Sequence, residues 1–244
     1  MPEPSSPSVR LQPDRVIQTV ALLRRRIQER FPDSGLSALC GSLLEVARQA
    51  SDRAETIGRP NGWIRLGTYT IAVTLIAAMA AAVFYIVGHA RADRVTPLDW
   101  IQIVEAALNV VIFYAIAIFF LVSLDRRLKR RRALQAVHEL RALAHVVDMH
   151  QLTKNPERSA SQWQHTEHSP VRRMSPFELN RYLDYCSEML SLIGKIAAMY
   201  VQRFDDPEAL VAVSEVEQLT SGLSRKIWQK IMILENWRQE TEDR

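Results

Sequence analysis

The apolar residues of this chain follow two kinds of pattern. From Asp14 onward, Val16, Val20, Leu23 and Ile27 recur at intervals of four, three and four, the period of one helix face. Phe31-Pro32-Asp33-Ser34-Gly35 breaks that run, and Leu36, Leu39, Leu43, Val46 and Ala50 open a second stripe towards Ile57. Gly58-Arg59-Pro60-Asn61-Gly62 then stops the helix. The pattern predicts a cytoplasmic helical hairpin over 13–62, preceded by a disordered tail over 1–12 that is rich in proline and serine.

Two later windows, 66–88 and 101–124, are apolar on every face, and only Glu105 carries a formal charge within them. Each exceeds the roughly 20 residues that span a ~30 Å hydrocarbon core as a helix. Two transmembrane helices within 63–124 are therefore expected, joined by a short external loop. The stretch from His89 to Trp100 contains Pro97 and balances Arg91 and Arg94 against Asp93 and Asp99. Its flanks are different: Arg48, Arg53, Arg59 and Arg65 precede the first window, and Arg126, Arg127, Lys129, Arg130, Arg131 and Arg132 follow the second. Basic residues near span ends favour the cytoplasmic side, so both termini are placed in the cytoplasm, with the spans in a bacterial inner (plasma) membrane. Trp63 and Trp100 are positioned as interfacial anchors. Ala77, Ala78, Ala80, Ala81 and Ala82 suit close helix packing. No cleaved secretory signal is expected, because the first apolar run begins only at Leu66.

Past the second window no proline or glycine interrupts the chain before Pro156, which predicts a post-membrane basic helix over 125–154. A polar linker over 155–174 follows. Ser175-Pro176-Phe177-Glu178 then has the residues of a capping box with proline at the first helical position. Leu179, Leu183, Cys186, Leu190, Ile193, Ala197, Tyr200 and Phe204 form one heptad seam, and Tyr182, Tyr185, Met189, Leu192, Ile196 and Met199 form a second. Two seams on one helix imply either the centre of a bundle or burial by a second subunit. Asp206-Pro207-Glu208 opens the last helix, carrying Val213, Val216, Leu223, Ile227, Ile231 and Leu234 with Gly222 between them, so 175–244 reads as a cytoplasmic helical pair. The fold class is all-α: a two-pass transmembrane helical hairpin with a cytoplasmic helical bundle and coiled-coil-like seams.

Composition adds little until it is placed along the chain. The 244 residues are 48% hydrophobic with a formal net charge of +4, an average over two unlike regimes. The basic cluster from Arg126 to Arg132 abuts the membrane and contains no aromatic residue to stack bases, so it is assigned to anionic lipid contact rather than to nucleic acid. Cys40 and Cys186 fall in apolar stripes, as small buried thiols do.

Glu105 and Asn109, one turn apart in the second span, are the candidate intramembrane sites. Ionisable residues there usually face a bundle interior or a water-filled path. Glu105, near Trp100, also fits a solvated rim, and Asn109 an interhelical hydrogen bond. His138, Arg141, His145 and Asp148 share one side of the post-membrane helix. His145 and Asp148 are the weak candidates for a metal, and a solvated polar face explains them equally, so no metal or cofactor is assigned. His165 and His168 have no further ligand nearby in sequence. No phosphate-binding glycine loop, His-Glu-x-x-His or Gly-x-Ser-x-Gly occurs among only eight glycines, and no enzyme is expected. The three residues between Arg141 and His145 are too few for the Arg-x4-6-His pair of HEPN-type helical RNases.

In outline, a two-span hairpin joined to a helical module is similar to small bacterial membrane effectors that assemble into pores. That resemblance, with Glu105, Asn109 and the double seam, implies a homo-oligomeric channel gated by its cytoplasmic helices. The other expectation is a membrane-anchored scaffold that binds a cytoplasmic protein partner.

Overall fold

The computed structural model describes residues 10–58, 62–89, 97–154, 174–202 and 204–242. Among these the protein is all-α, with six helices: α1 (Pro13–Arg30), α2 (Gly35–Gly58), α3 (Gly62–His89), α4 (Pro97–Leu152), α5 (Pro176–Val201) and α6 (Pro207–Glu242). The chain divides into two compact units, one made of Met1–Gly58 with Arg132–Arg244 and the other of Arg59–Arg131. The first unit is thus assembled from chain on both sides of the second. The expected tail over 1–9, the connector over 90–96, most of the linker with His165 and His168, and the side chains of Arg59, Trp63, Arg65, Ala82 and Trp100 lie outside the described residues.

The helix starts follow local chemistry. Pro13 opens α1 with Asp14 in its first turn. Ser34 caps α2, accepting a hydrogen bond from the Ser37 backbone N–H at 3.2 Å while its hydroxyl donates to the Phe31 carbonyl at 2.8 Å. At α5 the capping box is complete: the Glu178 backbone N–H donates to the Ser175 hydroxyl, and the Glu178 carboxylate accepts from the Ser175 backbone N–H. Asp206 caps α6, its carboxylate accepting from the Ala209 N–H at 3.2 Å.

Helix α5 is the centre of the first unit. Fourteen of its residues are buried, covering both seams, so a single partner helix is not enough to cover it. Within the chain it packs on α1, α2 and α6. One hydrophobic cluster joins Val20 and Ile27 of α1, Leu36 and Leu43 of α2, Leu140 and Val147 of α4, Leu190 and Ile193 of α5, and Val216 and Ile227 of α6. Phe31, in the turn between α1 and α2, meets Tyr182 and Tyr185 of α5 edge-on with ring centroids at 5.6 and 6.3 Å. The double seam therefore marks the centre of the chain's own bundle, and its apolar surface is not left for a second subunit.

The last part of α4 belongs to the same core. Ala133, Ala136, Val137, Leu140, Ala144 and Val147 are all buried, an alanine-rich stripe at helical spacing in what reads by sequence as a basic helix apart from the pair that follows. Polar contacts fix it at both sides: Arg53 of α2 with Glu139 at 3.1 Å, and Arg141 with Glu215 of α6. At its end Lys230 of α6 donates to the Gln151 carbonyl at 2.9 Å and to the Gln151 side-chain oxygen at 2.6 Å. The last carbonyls of a helix lack partners within it and carry its negative dipole end, so an ammonium from a neighbouring helix satisfies both needs.

The second unit comprises α3 and α4 up to Arg131. Among the described residues, the stretch Leu108–Leu152 of α4 is the one long and apolar enough to cross a membrane, and its most apolar window has no buried residue. Helix α3 contributes the shorter apolar run Leu66–Ala78, with Leu66, Tyr69, Val73 and Ile76 exposed. Thr70 and Thr74 donate back to the carbonyls of Leu66 and Thr70, both at 2.8 Å, which satisfies their hydroxyls within the helix.

Candidate functional site

Glu105 and Asn109 both lie exposed on α4, one turn apart, among exposed Ile101, Val104, Leu108 and Ile112. Among the described residues, the structure brings no other candidate site residue from the sequence to them. In the basic cluster, Arg126, Arg127, Arg131 and Arg132 are exposed, whereas Lys129 is largely covered and pairs with Asp125 at 3.1 Å. Arg53, counted by sequence among the membrane flank, is instead tied to Glu139 within the bundle.

His145 is exposed, and Asp148 accepts a hydrogen bond from the Gln151 side-chain amide at 2.5 Å. Among the described residues no three metal-binding side chains gather, there or elsewhere. Cys40 and Cys186 are buried. Burial pushes their thiols up to about 11 and about 12, so neither is a nucleophile at neutral pH.

A groove of about 750 Å³ in the first unit, open to solvent, is formed by the segment before α1, α1 itself, α5 and α6. Its α5 wall consists of Asp184, Ser187, Glu188, Ser191, Leu192 and Lys195. These fall at i, i+3, i+4, i+7, i+8 and i+11, one continuous face of the helix. Val16 of α1 and Ile231 and Trp228 of α6 supply apolar surface, and Arg10, Gln12 and Arg15 form the rim at the start of α1. Trp228 is 60% exposed and borders this groove, so a large apolar ring is presented to whatever lies along it.

Charge within the groove is uneven. Glu188 is neutralised by Arg26 at 2.9 Å and Asp184 by Arg181 at 3.3 Å. Lys195 contacts the Ser191 hydroxyl at 2.6 Å, and Arg15 donates to the Gln12 side chain at 3.2 Å; neither partner is charged. Among the described residues Arg10, Arg15 and Lys195 have no carboxylate partner.

Sequence reasoning did not find this groove, because it depends on how three helices meet. One signal was present. Leu223, Ile227, Ile231 and Leu234 define the inward stripe of α6, and Trp228 stands beside that stripe rather than in it. No family model matches the chain, and no curated protein or solved structure is significantly similar to it.

Proposed function

We propose that the protein is a two-pass membrane adaptor: the unit over 59–131 anchors a helical bundle on the cytoplasmic face of a bacterial inner membrane, and the bundle binds a partner protein. The observation that carries the anchoring is the composition of the bundle. Helices α1 and α2 precede the apolar unit, the last part of α4 with α5 and α6 follows it, and all of them share one hydrophobic cluster. A chain that leaves such a core on one side of a membrane and rejoins the same core must cross an even number of times. With α4 supplying one crossing, α3 is the helix available for the other. The arginines on both flanks favour the cytoplasmic side.

The adaptor reading is supported by the state of the bundle. Its seams are filled by its own helices, so it needs no second copy to complete its core, and the groove beside Trp228 offers a concave surface to a partner. A pore is the second reading, favoured by Glu105 and Asn109 on an exposed apolar helix. Mass measurement of the full chain in lipid nanodiscs separates the two. A monomer or dimer is expected; a discrete assembly of four or more subunits, with conductance altered by Glu105→Gln, would replace the adaptor with the pore.

A further inference from the structure

We infer that the groove between α1, α5 and α6 is a docking site for an acidic amphipathic helix of a partner protein. The inference rests on the adaptor reading and names the partner's chemistry. Three features of the groove select that occupant.

The first is shape. The lining residues of α5 run from Asp184 to Lys195, so the trough extends ~16 Å along the helix at 1.5 Å per residue, about three turns. An incoming helix of similar length presents apolar side chains at i, i+3 or i+4, and i+7 along such a trough. The groove is open to solvent, so an incoming helix can reach this run of α5 residues.

The second is the apolar floor. Leu192 is buried at its base, and Trp228 with Ile231 forms the α6 side. An exposed tryptophan beside a pocket is the kind of side chain that dominates binding energy once covered.

The third is charge. The groove's two carboxylates are each held by an arginine of the bundle, and three cations, Arg10, Arg15 and Lys195, have only neutral partners or none among the described residues. The surface offered to an incoming chain is therefore positive. Glutamates and aspartates flanking the partner's apolar stripe would complete these cations, and a basic helix would be repelled by them.

The test uses the full chain in phosphatidylcholine nanodiscs, which carry no net lipid charge. A displayed library of 18-residue amphipathic helices, with a fixed apolar face and randomised acidic, neutral or basic flanks, is selected against it. The expected pool is enriched in Glu and Asp. Its affinity should fall at least tenfold with Lys195→Glu, with Arg15→Glu and with Trp228→Ala, and should be unchanged by Leu22→Ala, an exposed α1 residue outside the groove. The charge reversals lie at exposed positions, and a thermal melt of each variant verifies that the bundle is intact. An empty selection, a neutral or basic pool, or an acidic pool indifferent to all three groove substitutions would overturn the inference. The two failures are distinguishable: a monomer or dimer with no acidic pool leaves an adaptor that works through another surface, whereas four or more subunits remove the adaptor reading itself.

Discussion

At the scale of single residues, Lys230 joins α6 to the end of α4. Its ammonium is half-buried, contacts two oxygens of Gln151 and lies near Asp148. Burial lowers its pKa from the ordinary 10.5. Lys230→Met keeps the aliphatic stem and removes the donor, leaving the end of α4 without its cap. Denaturant unfolding should show a loss of about 1–3 kcal/mol. The pH dependence carries a second signature. A lowered lysine pKa means that, in alkali, the unfolded chain holds the proton longer, so this group alone makes stability rise with pH. The buried thiols act in the opposite sense. Cys40 and Cys186 are raised from 9.0 to about 11 and about 12, so the folded chain holds their protons longer and their contribution is lost from about pH 9 upward. Tyr200, raised by burial to about 12, adds to that loss at higher pH. Wild-type stability is expected to decline above pH 9, and that of Lys230→Met to decline more steeply because the compensating group is gone. A parallel decline in the two proteins would contradict the assignment. The same burial predicts that N-ethylmaleimide at pH 8 modifies neither cysteine until denaturant is added, which mass spectrometry reads directly.

At the scale of the helix, α5 depends on a start signal as well as on its seams. Ser175→Ala removes one half of the capping box and leaves the Glu178 carboxylate without its hydroxyl donor. A cost of about 1 kcal/mol is expected, seen as a fall of about 2–4 °C in thermal midpoint for a bundle of this size. The Ser175 backbone and side-chain hydrogen bonds hold the Glu178 carboxyl below its ordinary value, so the cap contributes above the usual carboxylate range and is lost as pH falls through the lowered value. The melting difference between wild type and Ser175→Ala should accordingly shrink in acid, and a difference independent of pH would argue against the cap. This helix was the most legible element in the sequence, because its cap and both seams are local patterns with large apolar residues at every step. The end of α4 was legible as a helix but not as core. Its buried stripe includes Ala133, Ala136 and Ala144, small residues set among arginines and histidines, so the apolar signal is weak even though the residues of that stripe are fully buried. The groove was illegible for another reason: Arg15, Lys195 and Trp228 lie on three helices, and no spacing along the chain connects them.

At the scale of the whole molecule, the proposed membrane anchoring turns on how many times the chain would cross a membrane between the two parts of the bundle. A single crossing through α4 would place α1 and α2 on the opposite side from α5 and α6, yet Arg26 of α1 pairs with Glu188 of α5 and Phe31 packs against Tyr182. Breaking that core would expose Val20, Ile27, Leu36 and Leu43 to water, each worth about 1.5–3 kcal/mol of burial. Two crossings avoid the loss. Cysteine labelling measures the difference cleanly, because the two native thiols are buried and silent. Gln28→Cys on α1 and Gln239→Cys on α6 place new thiols at exposed positions of the bundle, and Asp93→Cys places one in the connector. A membrane-impermeant maleimide applied to spheroplasts should label Asp93→Cys alone, and label Gln28→Cys and Gln239→Cys only after lysis. Labelling of Gln28→Cys and Gln239→Cys from opposite faces would mean one crossing, and a bundle that could not form as a single core. Labelling of both from outside would keep the core and invert the orientation, setting the arginine flanks against the rule that places them in the cytoplasm.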